Sequence, residues 1–154
     1  MPTIMDFSIR ELSGEDTHLF RELLSMFGEV FEEVDTYSAA QPGEAYLCDL
    51  LKGEQLIALA AVQDDQVVGG LAAYELKKFE RERSEIYIYD LAVAAAHRRK
   101  GIATALIDCV KGIASRRGAY VVFVQAEPGD AAAIALYTKL GRREDVLHFD
   151  IPIE

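Results

Sequence analysis

The sequence predicts an α/β domain: a mixed β-sheet flanked by helices. Three observations carry this. Residues 13–31 place Leu19, Phe20, Leu23, Leu24, Phe27, Val30 and Phe31 at helical spacing. Two apolar runs, 55–62 and 67–76, meet at Gln63-Asp64-Asp65-Gln66, a hairpin signal. A third run, 85–93, is rich in Ile and Tyr and feeds through a short basic loop into an amphipathic stretch at 102–117. Strands that alternate with helices in this way bury both kinds of apolar face against each other. A chain of 154 residues accommodates one domain with a real core, because burial at this size reaches about two-thirds of the unfolded surface. A single domain over residues 1–154 is expected, without repeats, low-complexity segments or an interdomain linker.

The elements follow in order. Residues 7–12 read as an edge strand, and Ser13-x-x-Asp16 as an approximate capping box for the first helix. Residues 36–43, with Gln41-Pro42-Gly43, break that helix, and Tyr46, Leu47, Leu50 and Leu51 define a short second one. After the hairpin, 85–93 is expected as the central strand. The helix at 102–117 keeps Ile102, Leu106, Ile107, Val110 and Ile113 on one face, and Gly118 is its C-cap. Residues 119–125 read as a strand and Glu127-Pro128-Gly129 as a turn into a helix containing Tyr137. A last strand is expected at 146–151.

Charge narrows the function. The net charge is −10, which disfavours nucleic acid, since a polyanion rewards clustered Lys and Arg. Residues 1–50 hold 11 acids against Arg10 and Arg21, and the remainder holds 15 acids and 14 bases, so the excess is N-terminal. Glu29, Glu32, Glu33 and Asp35 are denser than solubility requires. They suggest a polycationic partner. No apolar run approaches the ~20 residues of a membrane span, and residues 1–6 lack a basic segment followed by an apolar one, so a cytoplasmic protein is expected with no membrane partner. Cys48 and Cys109 have neither metal-ligand nor redox spacing and read as packing residues, and no metal is expected.

The stretch Tyr89-Asp90-Leu91-Ala92-Val93, then His97-Arg98-Arg99-Lys100-Gly101-Ile102-Ala103-Thr104, is a strand, a loop and a helix start. Unpaired N–H groups at a helix N-terminus, a glycine allowing close approach and flanking guanidinium groups make a pyrophosphate cradle. The loop has neither Gly-x-Gly-x-x-Gly nor Gly-x-x-x-x-Gly-Lys-Ser/Thr, so neither the dinucleotide fold nor the P-loop fits it. Its Arg98-x-x-Gly101-x-Ala103 pattern resembles motif A of the GCN5-related N-acetyltransferases. Roughly thirty residues on, Ala133-Ile134-Ala135-Leu136-Tyr137-Thr138-Lys139-Leu140-Gly141 resembles that superfamily's second signature. The resemblance implies a mixed, mostly antiparallel sheet and acetyl-CoA as cosubstrate. Residues 91–93 and Arg98, Arg99, Lys100, Gly101, Ile102, Ala103 and Thr104 would hold it. Asp130 and Ala133 join Tyr137 from the second signature, with Asp130 where the family usually has Asn and Arg142 where it usually has Phe.

Asp90 ends an apolar strand, where a carboxylate is costly to bury without a partner. It is the candidate group to bind the attacking ammonium and remove its proton, directly or through water. Tyr89, one residue earlier, would face the opposite side unless a bulge re-aims one of the two. The resemblance makes Tyr137 the candidate proton donor to the departing thiolate. An amide near Val93 is the candidate donor to the thioester oxygen, and the strand edge at 91–93 would pair with the pantetheine arm.

The resemblance extends beyond the cofactor motifs. Thr36-Tyr37-Ser38, Gln41-Pro42, Leu71-Ala72-Ala73-Tyr74, Arg83-Ser84-Glu85-Ile86-Tyr87-Ile88-Tyr89-Asp90 and His148-Phe149-Asp150 look like the gentamicin-type aminoglycoside 3-N-acetyltransferases, over about three-quarters of the chain. This implies acetyl transfer to the 3-amino group of 2-deoxystreptamine, conferring antibiotic resistance. Glu32, Glu33, Asp35, Tyr89, Asp90 and Asp150 are then the candidate substrate-binding residues for a polycationic small molecule. A homodimer is an assembly that relatives often adopt. A polyamine or peptide N-acetyltransferase of the same fold, and a non-catalytic acetyl-CoA sensor, stay open beside this reading.

Overall fold

The computed structural model describes residues 6–154. The reading of residues 1–5 as free of a leader lies outside them. The residues gather into two compact units, one ending at Val124 and the other spanning Gln125–Glu154. In the first, β1 (Ser8–Glu11), β2 (Leu56–Gln63), β3 (Gln66–Lys77), β4 (Ser84–Val93) and β5 (Ala119–Val124) form one sheet in that order. The first three pairings are antiparallel and β4–β5 is parallel, as a mixed, mostly antiparallel sheet requires. The strand expected at the centre is instead β4, next to the edge, and β3 takes the middle. The parallel crossover through α4 (Ile102–Arg116) returns only one strand, so β4 has a single neighbour beyond it.

Two helical layers cover the sheet. On one face lie α1 (Thr17–Val30) and α3 (Glu44–Lys52), which bury Leu19, Phe20, Leu23, Met26 and Phe27 with Leu47 and Leu51 against Leu56, Ala58, Ala60 and Ala92. On the other, α4 buries Ile102, Leu106, Ile107, Val110 and Ile113. Burying each large apolar side chain contributes about 1.5–3 kcal/mol. The helices come close to the strands because β3 has glycines where they cross. A Cβ on Gly70 would lie 2.0 Å from Leu23 Cδ1, and one on Gly69 would lie 2.8 Å from Ile102 Cγ2. Since Ile102 opens α4, the second contact sets where that helix begins relative to β4.

The local signals work with three exceptions. The 63–66 connection is a tight turn with Asp64 and Asp65 both left-handed, at φ 51° and 59°, the geometry that matches strand twist. Gly118 is left-handed at φ 77° after α4. The first exception is the start of α1, which begins at Thr17. Asp16 is the N-cap position and turns its carboxylate back to Ser13. The second is α2 (Val34–Tyr37), a single turn that overlaps the expected break. The third is 146–151, which carries no strand. Alternation gives an extended chain two faces, but only a hydrogen-bonded neighbour makes it a strand. The second unit therefore holds α5 (Ala131–Leu140) followed by irregular chain, in which His148 Nε2 lies 2.9 Å from Asp150 Oδ1. Among the described residues no helix is long and apolar enough to cross a membrane.

Asp16 ties β1 to α1. Its carboxylate accepts from the Ser13 amide at 2.8 Å and hydroxyl at 3.0 Å, and pairs with Arg10 at 2.8 Å. The amide hydrogen bond from Ser13 holds its pKa below the usual carboxylate range, against the cost of burial. A group with a depressed folded pKa stabilises above its unfolded pKa, and that contribution is lost as pH falls through the folded value. Asp16→Ala is expected to lower stability by about 1–3 kcal/mol near neutrality. The gap between variant and parent should narrow as urea titrations move to acid below the ordinary carboxylate range. A constant gap there would show that ionisation of Asp16 is not the source.

Candidate active site

The site begins with one extra residue. Ala72 on β3 pairs with Asp90 and Ala73 with Ile88, so Tyr89 is a bulge in β4. Up to Ile88 the strand keeps Ser84, Ile86 and Ile88 buried, on the face that α4 covers. Had the alternation continued, Asp90 would point into that same apolar layer. The bulge reverses it. Asp90 now shares a face with its partner Ala72, and hence with Tyr74 and with Tyr87, the partner of Tyr74. Tyr89 lies there too: its ring is 5.9 Å from Tyr74, edge-on, and 5.8 Å from Tyr87. The condition under which Tyr89 and Asp90 can act together is met.

Asp90 is half-buried. Tyr37, the last residue of α2, donates its hydroxyl to Asp90 Oδ2 at 2.9 Å. Burial raises the carboxyl's pKa, the Tyr37 hydrogen bond opposes that, and the nearby Glu33 carboxylate adds to the rise. The phenols of Tyr37 and Tyr74 are pushed up as well, by burial first and then by neighbouring acidic groups that include Asp90. The result is a carboxylate ringed by protonated phenols, with a second acid close by. Such a site favours a cation, which stabilises the ionised carboxylate and recovers the desolvation cost.

Beyond the bulge, β4 has an open edge. β5 pairs with it only as far as Ile88–Val124, while β3 follows it to Val93. The Ala94 amide donates to Val68 of the β3 side at 2.8 Å, so strand alternation turns the amides of Leu91 and Val93 toward the other edge. Arg98 Nε donates to the Val93 carbonyl at 3.3 Å from that side. A 3₁₀ turn at Ala95–His97 then leads into Arg99 and Gly101, both left-handed at φ 63° and 81°. Gly101 is the N-cap of α4, no side chain caps the helix, and its first turn holds no acid. The amides of Ile102, Ala103 and Thr104 precede the first intrahelical bond, Ala105 N–H to Gly101 C=O at 3.0 Å. They and the exposed Arg98, Arg99 and Lys100 form a basic nest for an anion.

The Acetyltransferase (GNAT) family matches this chain over residues 18–141. The chain belongs to this family. GNAT acetyltransferases use acetyl-CoA, and the nest fits such a cosubstrate: unpaired amides, no Cβ at Gly101 and three cations suit a pyrophosphate, and the open edge of β4 suits an amide-bearing arm. An aminoglycoside acetyltransferase from an uncultured soil metagenomic sample is 56% identical, with a TM-score of 0.95, covering 97% of this chain and 100% of that one. A second, from an uncultured soil metagenomic sample and in complex with sisomicin, is 30% identical with a TM-score of 0.89, covering 97% of each chain. N-acetyltransferase 8B of Rattus norvegicus is 30% identical over 89 residues, 58% of this chain and 40% of that protein, so the match spans well under half of that relative.

The acidic candidates separate. Glu33, the N-cap of α2, stands close enough to Asp90 and Tyr37 to raise both. Glu32, left-handed at φ 56°, and Asp35, in the first turn of α2, are exposed on the same segment. Asp150 belongs to the second unit, beside His148. There too, Asp130 caps α5 by accepting from the Ala133 amide at 3.1 Å, and Tyr137 is half-buried with its phenol raised by burial and then by Asp130. Sequence reasoning gave no chemical role to Tyr37, Tyr74 or Tyr87. The available signal was that the stretches containing them took part in the resemblance although they lie outside both cofactor motifs.

Gly101→Ala tests the nest. A Cβ there would meet nothing within 4 Å, so the substitution acts only through backbone strain, about 1–2 kcal/mol for a left-handed residue. Relaxing that strain breaks the nest, and acetyl-CoA affinity measured by titration calorimetry is expected to fall roughly tenfold. Unchanged affinity would remove Gly101 from the cofactor site.

Proposed function

We propose that the chain is an aminoglycoside N-acetyltransferase that moves the acetyl group of acetyl-CoA to the 3-amino group of 2-deoxystreptamine antibiotics of the gentamicin type, conferring resistance. The observation that carries this reading is Asp90: a half-buried carboxylate, re-aimed by a bulge onto a face lined with tyrosines and Glu33, immediately before the strand edge that leads to the cofactor nest. The two soil proteins support the acceptor class, since both are aminoglycoside acetyltransferases. The 3-amino position rests on the sequence resemblance outlined above.

Acetyl-CoA supplies the activated acyl group, whose thioester carbon gains a bond to the amine nitrogen as its bond to sulfur breaks. Asp90 binds the ammonium and accepts its proton, directly or through water, leaving a neutral nucleophile. Burial, with Glu33, raises its pKa, which brings it closer to that task. The outward amides of Leu91 and Val93 would hold the arm, and an amide near Val93 would hydrogen-bond the thioester oxygen. By the sequence resemblance, Tyr137, whose phenol burial keeps protonated, is the candidate to hand a proton to the departing thiolate, and the second proton that the amine nitrogen loses as the amide forms would restore it through solvent. Glu33, Glu32 and Asp35 would contribute further contacts to the acceptor's remaining ammonium groups, and the sequence resemblance adds Asp150. Contacts at a wet rim are worth roughly 0–1 kcal/mol each, so affinity needs several.

Free-thiol release from acetyl-CoA is the test, with gentamicin, spermidine and a panel of N-terminal peptides as acceptors. Saturable release with gentamicin and a product acetylated at the 3-amine is expected. Release only with spermidine or a peptide would overturn the acceptor, and release with none would favour a non-catalytic acetyl-CoA binder. Asp90→Asn is expected to lower kcat by about 10²–10⁴ with acetyl-CoA affinity preserved. Turnover equal to the parent's would exclude Asp90 as the base.

A further inference from the structure

We infer that Tyr37 is a positioning residue for Asp90: its hydroxyl fixes Oδ2 and so presents Oδ1 to the acceptor ammonium in one orientation. This rests on the reading of Asp90 as the group that binds and deprotonates the amine. The hydrogen bond spans 53 residues of sequence and joins α2 to β4. It is a direct polar tie between this single helical turn and the bulged segment of the strand.

Tyr37 is held well beyond what a one-turn helix provides. Its ring packs on α1, 6.1 Å from Phe27 and 5.8 Å from Phe31, and those two rings stack at 5.6 Å. Its carbonyl accepts from Gln41 Nε2 at 3.3 Å. The same amide group reaches the Arg21 carbonyl at 3.3 Å and Ser25 Oγ at 3.4 Å, while Arg21 Nη1 donates to Gln41 Oε1 at 3.2 Å. Gln41 thereby pins the end of α2 to α1. Close approach of the two helices needs Gly28, where a Cβ would lie 3.2 Å from Tyr37 Cβ. An exposed turn carrying a ring cluster, a shared amide clamp and a glycine contact is over-determined for a connection. All of it converges on where one hydroxyl sits.

The hydroxyl has a chemical consequence as well as a geometric one. The charged and titratable groups that face Asp90 are Tyr37 and Glu33 from α2, Tyr74 from β3, and Tyr87 and Tyr89 from β4. Burial and Glu33 favour the neutral carboxyl, and the Tyr37 hydrogen bond favours the ionised one. A base must be ionised before the ammonium arrives, so removing the hydroxyl raises the pH at which Asp90 becomes competent. It also lets the carboxylate rotate, and misplacement of a reacting group by about 1 Å can cost on the order of 10²-fold in rate.

Tyr37→Phe keeps the ring cluster and removes only the hydroxyl. Two readouts separate the role of Tyr37 from that of Asp90. The first needs no acceptor: the carboxyl carbon resonance of Asp90, assigned by its loss in Asp90→Asn, is titrated in the full-length parent and in Tyr37→Phe. Its midpoint is expected to rise by about one pH unit in the variant, and an unmoved midpoint overturns the inference whatever the acceptor proves to be. The second is turnover. The acidic limb of the kcat/KM profile should move to higher pH by a similar amount, and kcat on the plateau should fall about tenfold or more with KM for acetyl-CoA unchanged. Turnover and an acidic limb both equal to the parent's would leave Tyr37 a packing role only, which the Phe ring preserves. If Asp90→Asn itself retained full turnover, the reading of Asp90 would fail while the shift in its midpoint would still test the contact.

Discussion

The functional arrangement depends on one irregularity in an otherwise regular ladder. Tyr89 has no partner residue opposite it, and everything after it in β4 is turned over. A carboxylate that strict alternation would have driven under α4, among Ile86, Ile88 and the apolar stripe of that helix, is delivered instead to the opposite face. There Tyr37 can reach it and cations can approach. The same reversal moves Ala92 into the α1-side core with Ala58 and Ala60 and places Val93 on the α4 face beside Gly69. Gly70, opposite Ala92, is what allows Leu23 of α1 to settle over this end of the sheet. The bulge and the two glycines of β3 thus form one device. It brings α1 close on one face and the start of α4 close on the other, at the same end of the same strand.

That device explains why Asp90, the base of the proposed reaction, and the nest occur together. Asp90 and the tyrosines, the acceptor side on the proposed function, lie on the α1 face. The anion nest is built on the α4 side by Arg99, Gly101 and the first amides of the helix. Both are reached from the final residues of β4, and no long loop intervenes: only residues 94–101 separate the strand from the helix. Rigid elements therefore fix both halves, which is the condition for holding a nucleophile and an acyl donor in register. The charge pattern follows the same division. Cations cluster in the short loop, and Glu33, the acid near Asp90, is the N-cap of α2, a separation that would sort the opposite charges of the two proposed ligands before they meet.

How much of this was legible in the sequence depends on the range of the interaction concerned. Helix stripes, the two-aspartate turn and the strand–loop–helix nest are local patterns, and they appear where the side-chain periods and turn chemistry place them. The bulge is not local. Tyr89 and Asp90 look like two ordinary strand residues until the register with Ala72 and Ala73 is known, and that register is set by pairing across the sheet. The position of β4 beside the edge, not at the centre, has the same origin, since strand order is a tertiary fact. So does the missing strand at 146–151, where the pattern of alternation is present and the ladder is not.

Tyr37 is the sharpest case. In sequence it lies near a Gln-Pro-Gly break, in a segment whose composition announces a turn and nothing more. Its role becomes visible only when α2 is seen to be clamped by Gln41 and packed on Phe27 and Phe31, with its hydroxyl on a carboxylate far along the chain. A turn that merely connected helices would tolerate substitution of any of these residues at small cost, as exposed connections generally do. Here each of them bears on the orientation of one carboxylate, and through it, on the proposed function, on the distance between an amine and an acyl carbon. The physical demand is severe because Asp90 is half-buried: a buried charge without a fixed hydrogen-bond donor either protonates or swings toward solvent, and in either state it no longer deprotonates an amine. The hydroxyl of Tyr37 opposes both, and the aromatic packing behind it keeps the donor in place before substrate arrives.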